Sequence, residues 1–324
     1  MSEQADEKVE RLDGGGQTWS LRFAGRDGTQ DWQWVHFDLV HSHARSTIEA
    51  DVALPEFARH LLIGTDESSR VLTDGHAVAG VLPAYARTGD ADEFEVTCWH
   101  FAMTPRYLVT GRRHATRTLV NLWEAVKGGL QPTSPTALVD LCIAEFAREV
   151  RDRLASLASE LDPVEDVLIE HRDAGRLTNL GGRLGAARRE ATQLKRSLIP
   201  LARALLEDTE DELPDWARLS DQNASHRALH GALDDIAALQ DRARSLQDEL
   251  TTRLAEETNR RLYIVSVVTT LVMPATFVTG FFGMNTGGLL WAGDEVPHGT
   301  VYAALLCGAA VLSTLLLLRW KRLL

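Results

Sequence analysis

The spacing of apolar positions changes character along the chain, and each change marks a different kind of element. Thr18–Phe23, Trp32–Asp38, Val78–Tyr85 and Phe94–Met103 are short β-type runs bounded by Gly, Asp and Pro turn signals. Tyr107–Thr110, after Pro105, is a shorter candidate, and Arg70–Thr73 followed by Asp74-Gly75 predicts entry into a hairpin. Ala44–Ala50 and Pro55–Leu62 predict short helices, and Ala115–Lys127 a clearer one that ends at Gly128-Gly129. Strands and helices mixed in this way imply an α+β domain, with one sheet covered by helices in an α/β/α sandwich-like arrangement.

From Ser134-Pro135-Thr136 the pattern is helical. One helix is expected to run to about Arg176, broken by Gly181-Gly182, and a second from about Arg183 to Leu206. The acidic stretch Glu207–Asp215, with Pro214, ends the second. A third pattern starts near Ser220-Asp221 and meets no proline until Pro274. It covers roughly 60 residues and ~90 Å, a length that needs a coiled coil or a membrane passage to explain it. Leu229, Leu233, Ile236, Leu239, Ala243, Leu246, Leu250 and Leu254 give it one apolar seam.

The upper end of that pattern, Leu262–Phe282, is twenty-one residues without a charge, and Val301–Leu318 is a second apolar span of eighteen. Each is long enough to cross a hydrocarbon core of about 30 Å. Arg260 and Arg261 precede the first span and Arg319-Trp320-Lys321-Arg322 follow the second, while the loop between them has no Lys or Arg. The positive-inside rule then puts both termini in the cytoplasm. The resulting partition is a tail (1–16), an α/β domain (17–132), a cytosolic helical region with a long stalk (133–261), a first span (262–282), an outer loop (283–300), a second span (301–318) and a basic tail (319–324).

Composition narrows the partners. The net charge of −12 argues against a nucleic-acid binder and suits a protein that handles cations. Cys98, Cys142 and Cys307 are far apart and read as reduced, packed thiols. The polar, Gly-rich N-terminus carries no apolar segment of the secretory type.

Heptad steps through the first span select Asn259, Leu262, Ser266, Thr269, Met273, Thr276, Gly280 and Gly283. This stripe is mostly small or polar, as expected of a helix facing a bundle interior or an aqueous axis. Continued backwards, it meets Asp234, Asp241 and Asp248, off the leucine seam. Around an axis they form stacked aspartate rings that enrich cations; alone, they are equally a solvated helix face. Gly283-Met284-Asn285 closes the span with a turn in which a ring of carboxamides could hold a hydrated cation. Asp294 and Glu295 in the outer loop raise the local cation concentration at a pore mouth, or belong to an ordinary solvated turn. His298 is the one imidazole of that loop. His226 and His230 are i, i+4 with Asp234 a turn further, a spacing that can chelate Zn2+, and His41 and His43 form another close pair. For each, plain solvent exposure is the alternative. No nucleophile–base arrangement, phosphate loop or paired-cysteine motif occurs, so the sequence gives no enzyme signal and calls for no cofactor beyond a transported metal ion.

The run Met273-Pro274-Ala275-Thr276-Phe277-Val278-Thr279-Gly280-Phe281-Phe282-Gly283-Met284-Asn285 closely resembles the signature of the CorA family of divalent-cation transporters. Two C-terminal spans, a long preceding helix and an acidic α/β N-terminal half extend the likeness over nearly the whole chain. Thr-Gly-Phe-Phe-Gly before the motif, Gly-Gly after it and the segment WVHFDLVHSH look most like the family's zinc-transporter branch. The resemblance implies a homopentamer in the bacterial inner membrane with a funnel-shaped cytosolic domain and a central pore lined by the first span. It implies an outer ion-binding ring at Asn285, deeper polar rings at Thr276 and Asn259, and apolar constrictions at Leu262, Val265 and Met273. Zn2+ is the expected ion, with Mg2+, Co2+ or Ni2+ as the alternative within the family. A membrane-anchored metal sensor or scaffold is the alternative of a different class.

Overall fold

The computed structural model describes residues 17–25, 30–51, 54–86, 95–169, 174–203, 213–218, 224–283 and 298–321. The expected N-terminal tail and most of the acidic stretch after Leu206 lie outside these residues. The chain divides into two compact units, Met1–Glu170 with Asn179–Gln247, and His171–Thr178 with Asp248–Leu324.

In the first unit, β1 (Gln17–Phe23), β2 (Trp32–Asp38), β3 (Arg70–Thr73), β4 (Val78–Tyr85), β5 (Val96–Thr104) and β6 (Tyr107–Arg112) form one sheet in the order β1-β2-β6-β5-β4-β3. β2 and β6 run parallel and the other neighbours antiparallel. All eight residues of β4 are buried, as expected of a central strand covered on both faces. On one face, α1 (Ala44–Asp51) and α2 (Glu56–Ile63) place Ile48, Ala58 and Leu62 against Val35, Phe37, Val81 and Val109. Strand alternation turns Trp34 to the other face, where its ring lies 6.3 Å from Trp123 of α3 (Arg117–Lys127). The β3–β4 hairpin forms as expected: Gly75 takes φ +86°, and the Asp74 carboxylate accepts the N–H groups of His76 and Ala77 at 2.9 and 2.8 Å. Gly80 in β4 is fixed by crowding, since a Cβ there would sit 2.5 Å from Phe101 and 2.7 Å from the Arg70 carbonyl. Cys98 and Cys142 are buried thiols, and burial pushes the first up to about 11.

Three long helices complete the unit. α4 (Pro135–Ile169) buries Val150, Leu154, Leu157, Leu161, Val164 and Leu168. α5 (Ala174–Ala202) buries Leu184, Ala187, Ala191, Leu194, Leu198 and Leu201. The part of α6 (Ala224–Phe282) in this unit buries Leu229, Ala232, Ile236, Leu239, Ala243 and Leu246. Each set alternates steps of three and four, the heptad seam of a coiled coil. Polar clasps fix the register. Arg153 of α4 binds Glu190 of α5, Gln240 of α6 donates to Thr192 of α5 at 3.2 Å, and Arg242 of α6 binds Asp162 and Glu165 of α4 at 2.8 and 2.5 Å. At the start of α6, buried Asp140 of α4 accepts the Ser225 N–H at 3.1 Å and its hydroxyl, which supplies the helix end with an acceptor for an otherwise orphaned donor.

Several expectations need correction. Gly181-Gly182 breaks nothing: α5 passes straight through it and starts at Ala174 rather than Arg183. A helical glycine costs only about 1 kcal/mol against alanine, and the flanking Leu180 and Leu184 are both buried, so packing overrides propensity. α4 ends at Ile169, short of Arg176. In the α6 seam, Leu233 is only half-buried because Ala232 takes the position between Leu229 and Ile236, and Leu254 is exposed.

One buried carboxylate joins α3 to α4. The side chain of Glu149 is 3% exposed. It accepts from the Thr118 hydroxyl at 2.6 Å and the Asn121 amide at 3.1 Å, with the Arg117 guanidinium 3.7 Å away. Burial pushes its carboxyl up to about 7, against the pull of the Thr118 hydrogen bond, and neighbouring Glu145 adds to the rise. Between pH ~4.5 and ~7 the folded chain therefore holds a proton that the unfolded chain releases, so stability falls as pH rises through this window. Glu149→Gln is expected to flatten that slope, leaving stability unchanged near pH 5 and raising it by on the order of 2–3 kcal/mol at pH 8. Thermal unfolding of the full chain in detergent, followed by circular dichroism, checks it; equal melting shifts at pH 5 and pH 8 would contradict it.

Candidate ion pathway

The second unit holds the upper part of α6 and α7 (Gly299–Trp320). Both helices contain windows apolar enough to cross a membrane, with mean hydropathy 1.8 and 2.3. A continuous helix is the form an apolar sequence takes in hydrocarbon, because every backbone donor and acceptor is satisfied within the segment. Pro274 sits inside α6 without ending it.

The two helices cover each other along one side. On α6 the half-buried positions are Val267, Leu271, Pro274, Ala275, Val278 and Phe282. On α7 they are Ala303, Cys307, Ala310, Val311, Thr314 and Leu315, with Leu318 fully buried. The Cys307 thiol lies 3.9 Å from the Ala275 carbonyl oxygen. At ~100° per residue, the covered face of α6 is centred nearly opposite the stripe Leu262, Ser266, Thr269, Met273, Thr276 and Gly280. All six of these are exposed, as are Asn259 and Val265. The polar stripe is thus the side of α6 that its hairpin partner leaves uncovered.

The hydroxyls on this helix have a common orientation. Thr269 and Thr270 donate to the Ser266 carbonyl at 2.9 and 2.7 Å, and Thr276 donates to the Val272 carbonyl at 3.0 Å. With the proton turned back to the helix, each hydroxyl offers only oxygen lone pairs outward. A row of acceptors suits the water hydrogens of a hydrated cation and disfavours an anion.

The remaining expected residues are distributed as follows. Gly283 closes α6, its N–H donating to the Thr279 carbonyl at 2.9 Å. Met284, Asn285, Asp294 and Glu295 lie outside the described residues. His298 precedes α7, its carbonyl accepting from Val301 and Tyr302 at 3.0 and 3.1 Å. Asp234 and Asp241 are exposed on the side of α6 away from its buried seam in the first unit; Asp248 is exposed in the second. The rings of His226 and His230 lie 4.6 Å apart, and those of His41 and His43 5.6 Å apart. Among the described residues no three His, Cys, Asp or Glu side chains gather as a metal would require, so Asp234 does not complete a chelate with the first pair.

Sequence reasoning passed over Asp140, Glu149 and Arg242. The signal was available for the first two: each interrupts an otherwise apolar face of α4, beside Val139 and Ile143 or beside Phe146 and Val150.

A soluble α/β unit, three long helices and a C-terminal pair of apolar helices, one with an uncovered polar stripe, define a membrane protein of the transporter type. The chain belongs to the family described as CorA-like Mg2+ transporter protein, whose profile matches residues 29–322. Members of this family move divalent cations and are not enzymes, which sets aside the anchored sensor or scaffold. Among its relatives is the zinc transport protein ZntB of Yersinia enterocolitica, 26% identical over 301 residues that cover 90% of this chain and 88% of that protein. The divalent cation transporter CmaX of Pseudomonas aeruginosa is 26% identical over 284 residues, 85% of this chain and 82% of that protein. In fold, the chain resembles full-length CmaX, with TM-score 0.71, 22% identity and 97% and 99% of the two chains covered. It also resembles the CorA magnesium transporter of Methanocaldococcus jannaschii, with TM-score 0.71, 16% identity and 93% and 97% covered.

The two sides of α6 are expected to respond differently to substitutions one residue apart. Ala275→Phe overfills the face against α7, and overpacking costs typically 1–3 kcal/mol. It should lower the melting temperature by several degrees and reduce monodisperse yield. Thr276→Leu, on the uncovered side, should leave both within error of the parent. Equal losses for the two variants would show that the polar side is packed within the hairpin.

Proposed function

We propose that this chain forms a homopentameric pore for divalent cations in a bacterial inner membrane, with both termini in the cytoplasm and Zn2+ as the principal ion. The observation that carries the reading is the uncovered stripe on α6, where back-bonded hydroxyls present acceptor oxygens along a helix otherwise lined with Val, Leu and Ile. A helix facing lipid on that side gains nothing from gathering Ser266, Thr269 and Thr276 there; helices around a water-filled axis do. In this reading Asn285 selects the ion at the outer end of the span, Met284 and Gly283 shape the turn, and Thr276 and Asn259 are deeper polar rings. Leu262, Val265 and Met273 narrow the path. Asp294 and Glu295 concentrate cations outside, and Asp234, Asp241 and Asp248 do so on the cytoplasmic side. The imidazoles His41, His43, His226, His230 and His298 are secondary zinc ligands at most, since the histidine pairs lack a third ligand among the described residues.

Relatives named as zinc transport proteins across nearly the full chain support Zn2+. Mg2+ is the second reading, favoured by the family's description and the fold of the M. jannaschii protein. The stripe itself offers hydroxyl, thioether and carboxamide groups and no imidazole or thiolate, which fits an ion that passes hydrated better than one stripped of water.

Flux of Zn2+, Mg2+, Co2+ and Ni2+ into proteoliposomes of the full chain tests both. Zn2+ entry is expected to be fastest, and Asn285→Ala and Thr276→Leu should each cut it by about tenfold or more, as for the loss of a pathway group worth over ~1.4 kcal/mol. Mg2+ flux with no Zn2+ flux would move the assignment to the second reading. Unaltered flux in both variants would remove the stripe from the pathway.

A further inference from the structure

Arg117, Thr118 and Asn121 of α3 converge on one carboxyl of α4, that of Glu149, which the ion pathway does not use. The Thr118 hydroxyl donates to Oε2 at 2.6 Å and the Asn121 amide to Oε1 at 3.1 Å. The Arg117 guanidinium stands 3.7 Å from Oε1. The same Asn121 nitrogen also donates to Glu145, one turn earlier on α4, at 2.9 Å. Two carboxyl groups thus share one amide nitrogen.

Their surroundings assign the proton. Arg148 grips Glu145 through two nitrogens at 2.6 and 2.8 Å, which holds that carboxyl below its ordinary value. The guanidinium at Glu149 is more distant and belongs to a side chain 57% exposed, while Glu149 itself is buried. The other groups facing Glu149 are Arg148 on α4 and Tyr85 at the end of β4, whose phenol burial keeps protonated. Behind Tyr85, Arg153 of α4 and Glu190 of α5 bind each other at 2.9 Å. Of two acids in such different settings, the buried one keeps the proton. Burial pushes the Glu149 carboxyl up to about 7.

A protonated Glu149 leaves the contact with α3 intact. Its hydroxyl can donate to the Thr118 oxygen, and its other oxygen still accepts from Asn121. An ionised Glu149 sets a second negative charge beside Glu145, away from water, and lifting α3 is what lets water in. We propose that Glu149 is a proton-binding site that seats α3 on α4, docked when the carboxyl is protonated and loosened when it ionises. The same turn of α4 carries Arg151, which clasps Asp235 of α6 at 2.7 Å, so the seat of α3 and a hold on α6 share one turn. The seat lies within the soluble unit and works whatever ion the spans carry.

Hydrogen–deuterium exchange of the full chain in detergent, corrected for the intrinsic rate at each pH, tests it. Amides of α3 should be less protected than those of β4, the mark of an opening confined to α3. Their protection should fall about tenfold from pH 6 to pH 8 and level off above pH ~7, because the opened Glu149 ionises at its ordinary value near 4.5. Glu149→Gln keeps the shape and removes the proton, so α3 protection should become level with pH. Glu145→Gln removes the neighbouring charge and should move the bend in the profile to lower pH. Thr118→Val removes a hydrogen bond that favours the ionised form and should move the bend higher. A merely structural contact would lose protection in these variants without moving the bend. Where Glu149→Gln does not yield monodisperse protein, the two opposite displacements carry the test. Equal protection of α3 and β4 at both pH values would show that only global unfolding frees the carboxyl and would overturn the proposal. An unchanged pH profile in Glu149→Gln, or bends that stay in place in the other two variants, would overturn it as well.

Discussion

Hydrocarbon cannot hydrogen-bond a peptide group, and that constraint governs the C-terminal part of this chain. It forces Leu262–Phe282 and Val301–Leu318 to be helical throughout, even across Pro274. The threonines follow a local rule: as at Thr47 and Thr192 in the first unit, their protons turn to carbonyls one turn back in the same helix. The uncovered side of α6 is consequently a row of oxygen acceptors. These bonds lie within one helix, so the polarity that suits a hydrated cation is encoded in a single segment.

The soluble unit solves a different problem, the alignment of three long helices in water. Apolar heptads hold the seams together but do not by themselves choose a register, because sliding by seven residues restores the pattern. The charged clasps do choose. Arg151 meets Asp235 at 2.7 Å, and Arg242 meets Asp162 and Glu165 either side of Pro163, where the proline leaves α4 short of a backbone donor. The guanidinium also donates to the Ala158 carbonyl at 3.3 Å, so the same side chain supports α4 at that point. Such half-exposed pairs contribute modestly to stability, about 0–1 kcal/mol each. Their value here lies in specificity.

Strands, helices and both spans were legible because each carries its own period. β2, β3 and β4 begin and end where the alternation does, and the α6 seam was readable through its leucines. Gly181-Gly182 misled for a physical reason: the local cost of glycine is small beside a seam of buried leucines supplied by distant helices. Leu233 failed for a related one, since Ala232 is small enough to sit in the tight interior of the three-helix seam and displaces the larger neighbour. The polar stripe was visible as spacing, but its opposition to α7 was not. That depends on which face of α6 the partner covers, and Ala, Thr and Cys on α7 give little hydrophobic contrast to announce it.

The donor set of the stripe bears on ion choice more than the names of relatives do. Selecting Zn2+ over Mg2+ by direct coordination needs imidazole or thiolate, and Cys307 is turned to the Ala275 carbonyl within the hairpin, away from the stripe. A pathway of hydroxyl and carboxamide oxygens therefore discriminates by charge and by the size of the hydrated ion, a weak filter between divalent metals. Under the proposed function, selectivity for zinc then has to arise where water is exchanged or where ions are concentrated, and Asp294, Glu295 and the Asn285 carboxamide are the groups the sequence supplies beside the span for that.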